Sequence, residues 1–160
     1  MAILAILVAL IVFGTCVYAA GTVTVACAEI PGKDATWSTV TYTLTSHTDG
    51  SVSAVSSAAL TCTGGGTLTD FILGKAIYQV VTVPGASVSS YTLTITDANS
   101  ATPFAGLLAS RSTTLSQSEL PIVSSSSNAP GMWPVTSALS ISGTGMGSAK
   151  TATVQLVLVK

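Results

Sequence analysis

Residues 38–45 read STVTYTLT, and this octet decides the fold. Val40, Tyr42 and Leu44 alternate with threonines at every position between them. A period of two puts successive side chains on opposite faces of an extended chain, so one face meets a core and the other meets water. Threonine suits the wet face because its β-branch favours strands and its hydroxyl stays solvated.

The same pattern recurs outward in both directions. TVTVACA, residues 22–28, sets Val23, Val25 and Cys27 on one face. SYTLTIT, residues 90–96, repeats it with Tyr91, Leu93 and Ile95, and VTSALSI, residues 135–141, offers Val135, Leu139 and Ile141. Turn signals separate these runs: Asp-Gly inside TDGS at 48–51, Pro-Gly after AIYQVVTV, and DANS at 97–100. Short half-buried strands joined by such turns predict an all-β protein, an antiparallel β-sandwich or small barrel. ATVQLVLV, residues 152–159, differs, since Val157 and Val159 make its second face apolar too. Such a strand is central to a sheet or covered by a partner, and its end is expected to form a subunit contact.

Two stretches do not read as strands. TPFAGLLASRS, residues 102–112, has Phe104, Leu107, Leu108 and Arg111 at helical spacing, which predicts one short helical turn. PIVSSSSNAPGMWP, residues 121–134, is a loop by composition. Trp133 within it is expected to cap the core; the alternative is an anchor for a neighbouring chain.

Charged residues make up only 7% of the chain, against about 25% in an ordinary soluble domain. Serine and threonine fill more than a quarter of the positions instead. Five scattered Lys and Arg do not form the basic patch that phosphate neutralisation requires, so nucleic-acid binding is excluded. The expected partners are copies of the same chain and other subunits, with no small-molecule substrate. Among three cysteines, Cys16 reads as a small hydrophobe, and Cys27 and Cys62 pair only if their strands are neighbours. A free buried thiol is the expected state for a protein assembled in the cytoplasm.

Residues 1–20 are set apart from the β domain, residues 21–160. No charge occurs before Glu29, and residues 1–13 are apolar throughout. A secretory signal peptide carries a basic start, which is missing, although Val17 and Ala19 have the right sizes before a cleavage site. At about twenty residues the run is near the minimum for a membrane span. An uncut hydrophobic segment, held in a membrane or an assembly, ranks ahead of a cleaved signal.

No constellation reads as catalytic, cofactor-binding or metal-binding. GTGMG at 143–147 lacks the third glycine of a dinucleotide fingerprint, Ser148 standing there, and has strand pattern on both sides. His47, the single histidine, sits in a turn with Asp49, which serves the hairpin. Asp97 and Asn99 read as turn residues rather than calcium ligands. Asp97 and Arg111, flanking the Phe-Leu-Leu turn in a charge-poor chain, are expected to pair and pin that turn to the sheet.

The order of short pieces carries a resemblance. ATWSTVTYTLTSHTDGSVS leads to GKAIYQVVTVPGASVSSYTLTITDANS, then FAGLLASRSTT, then PVTSALSISGTGMGSAKTATVQLVL. Over residues 35–159 this resembles a family of small tailed-bacteriophage virion structural proteins. The resemblance implies a non-enzymatic virion component, of the neck, vertex, decoration or fibre-base kind, present in several copies. The alternative is an exported bacterial surface or filament subunit with a cleaved leader, extracellular or on the cell surface.

Overall fold

The computed structural model describes residues 21–31, 35–124 and 129–160. The leader, and with it the choice between anchor and signal peptide, lies outside the described residues.

Among the described residues, eleven strands and one short α-helix follow each other along the chain, with a 3-10 turn at Ser57–Ala59. They are β1 (Thr22–Pro31), β2 (Thr36–Thr45), β3 (Val52–Ser56), α1 (Leu68–Ile72), β4 (Ala76–Pro84) and β5 (Thr92–Asp97). Then come β6 (Gln117–Glu119), β7 (Ile122–Ser124), β8 (Ala129–Pro130), β9 (Trp133–Pro134), β10 (Leu139–Thr144) and β11 (Thr151–Val159). The large sheet runs β1-β2-β11-β4-β6, with β9 also pairing β4; the small sheet runs β3-β10-β5, and β7 pairs β8. Every pairing among the described residues is antiparallel.

The fold is an antiparallel β-sandwich, as the alternation predicts. Val40, Tyr42 and Leu44 from β2, with Val154, Leu156 and Leu158 from β11, face Leu93, Ile95, Leu139 and Ile141 of the small sheet in one buried cluster. Burying a side chain of this size contributes roughly 1.5–3 kcal/mol, so these facing rows supply the main cohesion. β4 keeps its inward set by a bulge: Val157 pairs Gln79 while Leu158 pairs Ile77, so Tyr78 is the extra residue. The bulge lets Ile77 and Val80 both point inward and turns Tyr78 to solvent.

The helical turn falls elsewhere than the spacing predicts. Residues 102–110 form successive turns, Ala105, Leu107 and Ala109 donating their N–H groups to Thr102, Phe104 and Gly106. Gly106 at φ 88° and Ala105 at φ 36° take the chain out of the helical region. Phe104 and Leu108 still reach the core, which accounts for the helix-like spacing. The helix is α1, where the Thr67 hydroxyl accepts the N–H of Asp70 and donates to its carboxylate at 2.6 Å. This side-chain cap opens the helix and Leu68 and Ile72 bury its inner face.

Candidate functional site

The loops that flank the strands carry structural duties. Asp49 accepts the backbone N–H and the hydroxyl of Ser51 at 2.8 and 2.7 Å, closing the hairpin that contains His47. These bonds hold its carboxyl below the ordinary range. Gly50 turns at φ 83° against the backbone of Gly147, so the glycine-rich stretch 143–147 serves a loop-to-loop contact. Among the described residues no three His, Cys, Asp or Glu side chains gather as a metal site would require. No described helix is long and apolar enough to cross a membrane.

Arg111 does not pair with Asp97. It is buried, and its Nη1 lies 2.8 Å from Glu119 Oε1 and also donates to the Leu107 carbonyl; its Nε donates to the Thr82 hydroxyl. Asp97 is occupied locally, its Oδ1 accepting the N–H groups of Asn99 and Ala101, both at 2.8 Å. The reason is short-range competition: an aspartate opening a turn satisfies itself on the following amides. The Arg111 side chain ties the turn run to β4 and β6, while its backbone N–H donates to the Tyr91 carbonyl just before β5.

The outward face of the large sheet gathers apolar side chains at one end. Register places Ile30, Trp37, Val159 and Ala76 in one row across β1, β2, β11 and β4. Val157 lies one row in, between Thr39 and Gln79. Tyr78, freed by the bulge, packs edge-on against Trp37 with ring centroids 5.3 Å apart. Tyr78 also lines an open hollow with Leu120, Pro130 and Met132. Ile30 and Met132 are each 55% exposed, and Trp37, Val157 and Val159 remain half-buried. β11 is the sheet's centre, so centrality accounts for part of its two-faced apolarity, while its last residues belong to this corner. Trp133 packs against the core from β9 and stays partly exposed.

The third feature is the edge of the large sheet. Among the described residues β1 pairs only with β2, and two ties hold it. Cys27 and Cys62 form a disulfide, Cα atoms 5.3 Å apart, fastening β1 to the loop before α1. The free thiol expected from a cytoplasmic setting is therefore replaced by a bond, because β1 and this loop are neighbours in space. Lys75, buried, donates to Glu29 and to the Ser38 hydroxyl, each at 2.9 Å, and lies 3.7 Å over the Phe71 ring. The hydrogen bond from Lys75, and then its charge, hold the Glu29 carboxyl below its usual range. No spacing in the sequence points to Lys75, Glu29 or Glu119, because their partners meet only through the strand order of the fold.

No protein-family model, no curated protein and no solved structure matches the chain.

Proposed function

We propose that the chain is a non-enzymatic structural subunit of a bacteriophage virion, assembling in several copies through protein–protein contacts. The observation that carries the assembly reading is the apolar corner of Ile30, Trp37, Tyr78, Leu120, Met132, Val157 and Val159. A face so poor in charge and so rich in exposed aromatic and aliphatic surface gains free energy when a neighbour covers it. The virion assignment rests on the resemblance over residues 35–159.

The disulfide favours a second reading, an exported surface or filament subunit, since such bonds persist in oxidising compartments. Sedimentation of the native full-length chain tests the common ground: multimers are expected, and Tyr78→Lys shifts them toward the 15.9 kDa chain while the fold persists. A wild-type monomer overturns the assembly reading. N-terminal sequencing of native material separates the two settings, an uncut terminus supporting the virion and a terminus at Ala20 supporting export.

A further inference from the structure

Backbone direction shows which groups of β1 are left open. At the two ends of the β2–β11 ladder, Ser46 donates its N–H to Lys150 and Lys160 donates to Thr36, at 2.8 and 3.0 Å. The even-numbered residues of β2 therefore bond toward β11. Successive residues of a strand aim their N–H and C=O to opposite sides, so the odd-numbered residues of β2 bond toward β1. Register sets these against the even residues of β1, from Thr45 on Thr22 to Trp37 on Ile30. The N–H and C=O groups of Val23, Val25, Cys27 and Glu29 consequently point away from the sheet. One contact agrees independently: the Thr63 hydroxyl approaches the Val25 carbonyl at 3.5 Å, leaving that oxygen a second lone pair.

Among the described residues no strand pairs this edge, and its protections are few: the Glu29 charge, Pro31 at the end of β1, and the Thr63 hydroxyl at the Val25 carbonyl. Between Thr22 and Ile30 there is no proline and no lysine, and the single charge, Glu29, is held by Lys75. The disulfide and Lys75 fix the strand from behind, so little order has to be gained on pairing. A long edge strand with few charges is a template for another strand.

We infer that the open edge of β1 pairs antiparallel with β1 of a second copy, centred on Ala26. The inference rests on the assembly reading and names one of its contacts. Only odd residues can bond across this edge, so odd must face odd. Centring on Ala26 sets Val23 against Glu29 and Val25 against Cys27, giving about eight backbone hydrogen bonds. Centring on Cys27 would instead place Pro31, which has no N–H, opposite Val23. The Ala26 register also keeps the two Glu29 side chains at opposite ends, so like charges do not meet. Thr22, Thr24, Ala26 and Ala28 then continue the outward face with small side chains.

The register has a direct test in the full-length chain carrying Cys16→Ser to remove a stray thiol. Ala26 faces its own copy in a non-hydrogen-bonded pair, where Cα atoms lie about 4.5 Å apart, within disulfide range. On oxidation by dioxygen with copper–phenanthroline, Ala26→Cys is expected to shift to twice the 15.9 kDa chain on a non-reducing gel. Ala28→Cys alone is expected to stay single, and to link when mixed with Thr24→Cys. Adding Val25→Pro removes an outward N–H without touching the β2 ladder, and should abolish the Ala26→Cys link while the fold persists. An unlinked Ala26→Cys chain, or equal linking of Ala26→Cys and Ala28→Cys, overturns the inference. If the wild-type chain still sediments as a multimer in that case, the edge pairing alone is lost; a monomer removes the assembly reading with it.

Discussion

Arg111 holds Glu119 at 2.8 Å and leaves Asp97 to its own turn. The guanidinium thereby joins three parts of the fold: Thr82 on β4, Glu119 on β6 and the Leu107 carbonyl in the turn run. Truncating one member of a buried pair leaves the others desolvated and unpaired, which costs about 3 kcal/mol. Arg111→Ala should therefore lower the urea midpoint strongly. Glu119→Ala should follow in direction with a smaller loss, because Glu119 is partly exposed. Asp97→Ala should cost only about 1 kcal/mol, the scale of a lost side-chain cap. If Asp97→Ala matched Arg111→Ala and a double variant showed coupling between them, the assignment of Glu119 as partner would be wrong.

The disulfide closes a loop of sequence separation 35. Loop-closure entropy for that length corresponds to roughly 3–4 kcal/mol of restriction on the unfolded chain. Replacing Cys27 and Cys62 together by alanine should lower stability by about 2–4 kcal/mol, read by denaturant unfolding. Reductant should have a matching effect on the wild type and none on the double variant. A wild type indifferent to reductant under unfolding conditions would contradict the bond.

Much of the sandwich was legible because its strands are half-buried and antiparallel, a situation that writes itself as alternation. STVTYTLT and SYTLTIT announced β2 and β5 in this way. The pattern failed where a local device broke the period. Ile77 and Val80 are three apart and yet share the inner face, because Tyr78 bulges; no two-residue period can show that. The turn run at 102–110 imitated a helix since Phe104 and Leu108 are both buried, whereas the true helix was announced only by Thr67 and Asp70, a capping pair three residues apart. Val157 and Val159 were legible as unusual, but their row with Ile30 and Trp37 depends on strand order, which spacing along the chain does not encode. The Arg111–Glu119 pair was hidden for the same reason: β6 reaches β4 only through the fold.

Acid should loosen β1 first. The Glu29 carboxyl is held below its ordinary value of 4.5 by the hydrogen bond and charge of Lys75. A carboxyl lowered in the folded state lends stability that is whole above 4.5 and is lost as pH falls through the lowered value. Asp49 acts with the same sign through Ser51, from an ordinary value of 3.8. Melting temperature should therefore decline on acidification below these values, and Glu29→Gln should flatten part of that decline while lowering stability at neutral pH. Hydrogen exchange should show β1 amides opening ahead of β11 in acid. An identical acid profile for Glu29→Gln would remove the role assigned to the Lys75 contact.

Alkali should act through the interior. Burial raises the Tyr42 hydroxyl above its ordinary value of 10.0, and it raises Tyr91 too, there opposed by the Arg111 charge and the Thr82 hydroxyl. For such a group the folded chain keeps its proton while the unfolded chain gives it up freely. The stability it lends is whole below 10.0 and is lost as pH rises from there toward the raised folded value. Phenolate absorbance from Tyr42 and Tyr91 should accordingly appear together with loss of near-ultraviolet circular dichroism, not before it. Tyr42→Phe removes the ionisable hydroxyl and keeps the ring that fills the core between Val40 and Leu44. Its stability at neutral pH should stay within about 1 kcal/mol of the wild type, and its alkaline unfolding midpoint should move upward. An unmoved midpoint would show that the Tyr42 proton is not what couples alkali to unfolding.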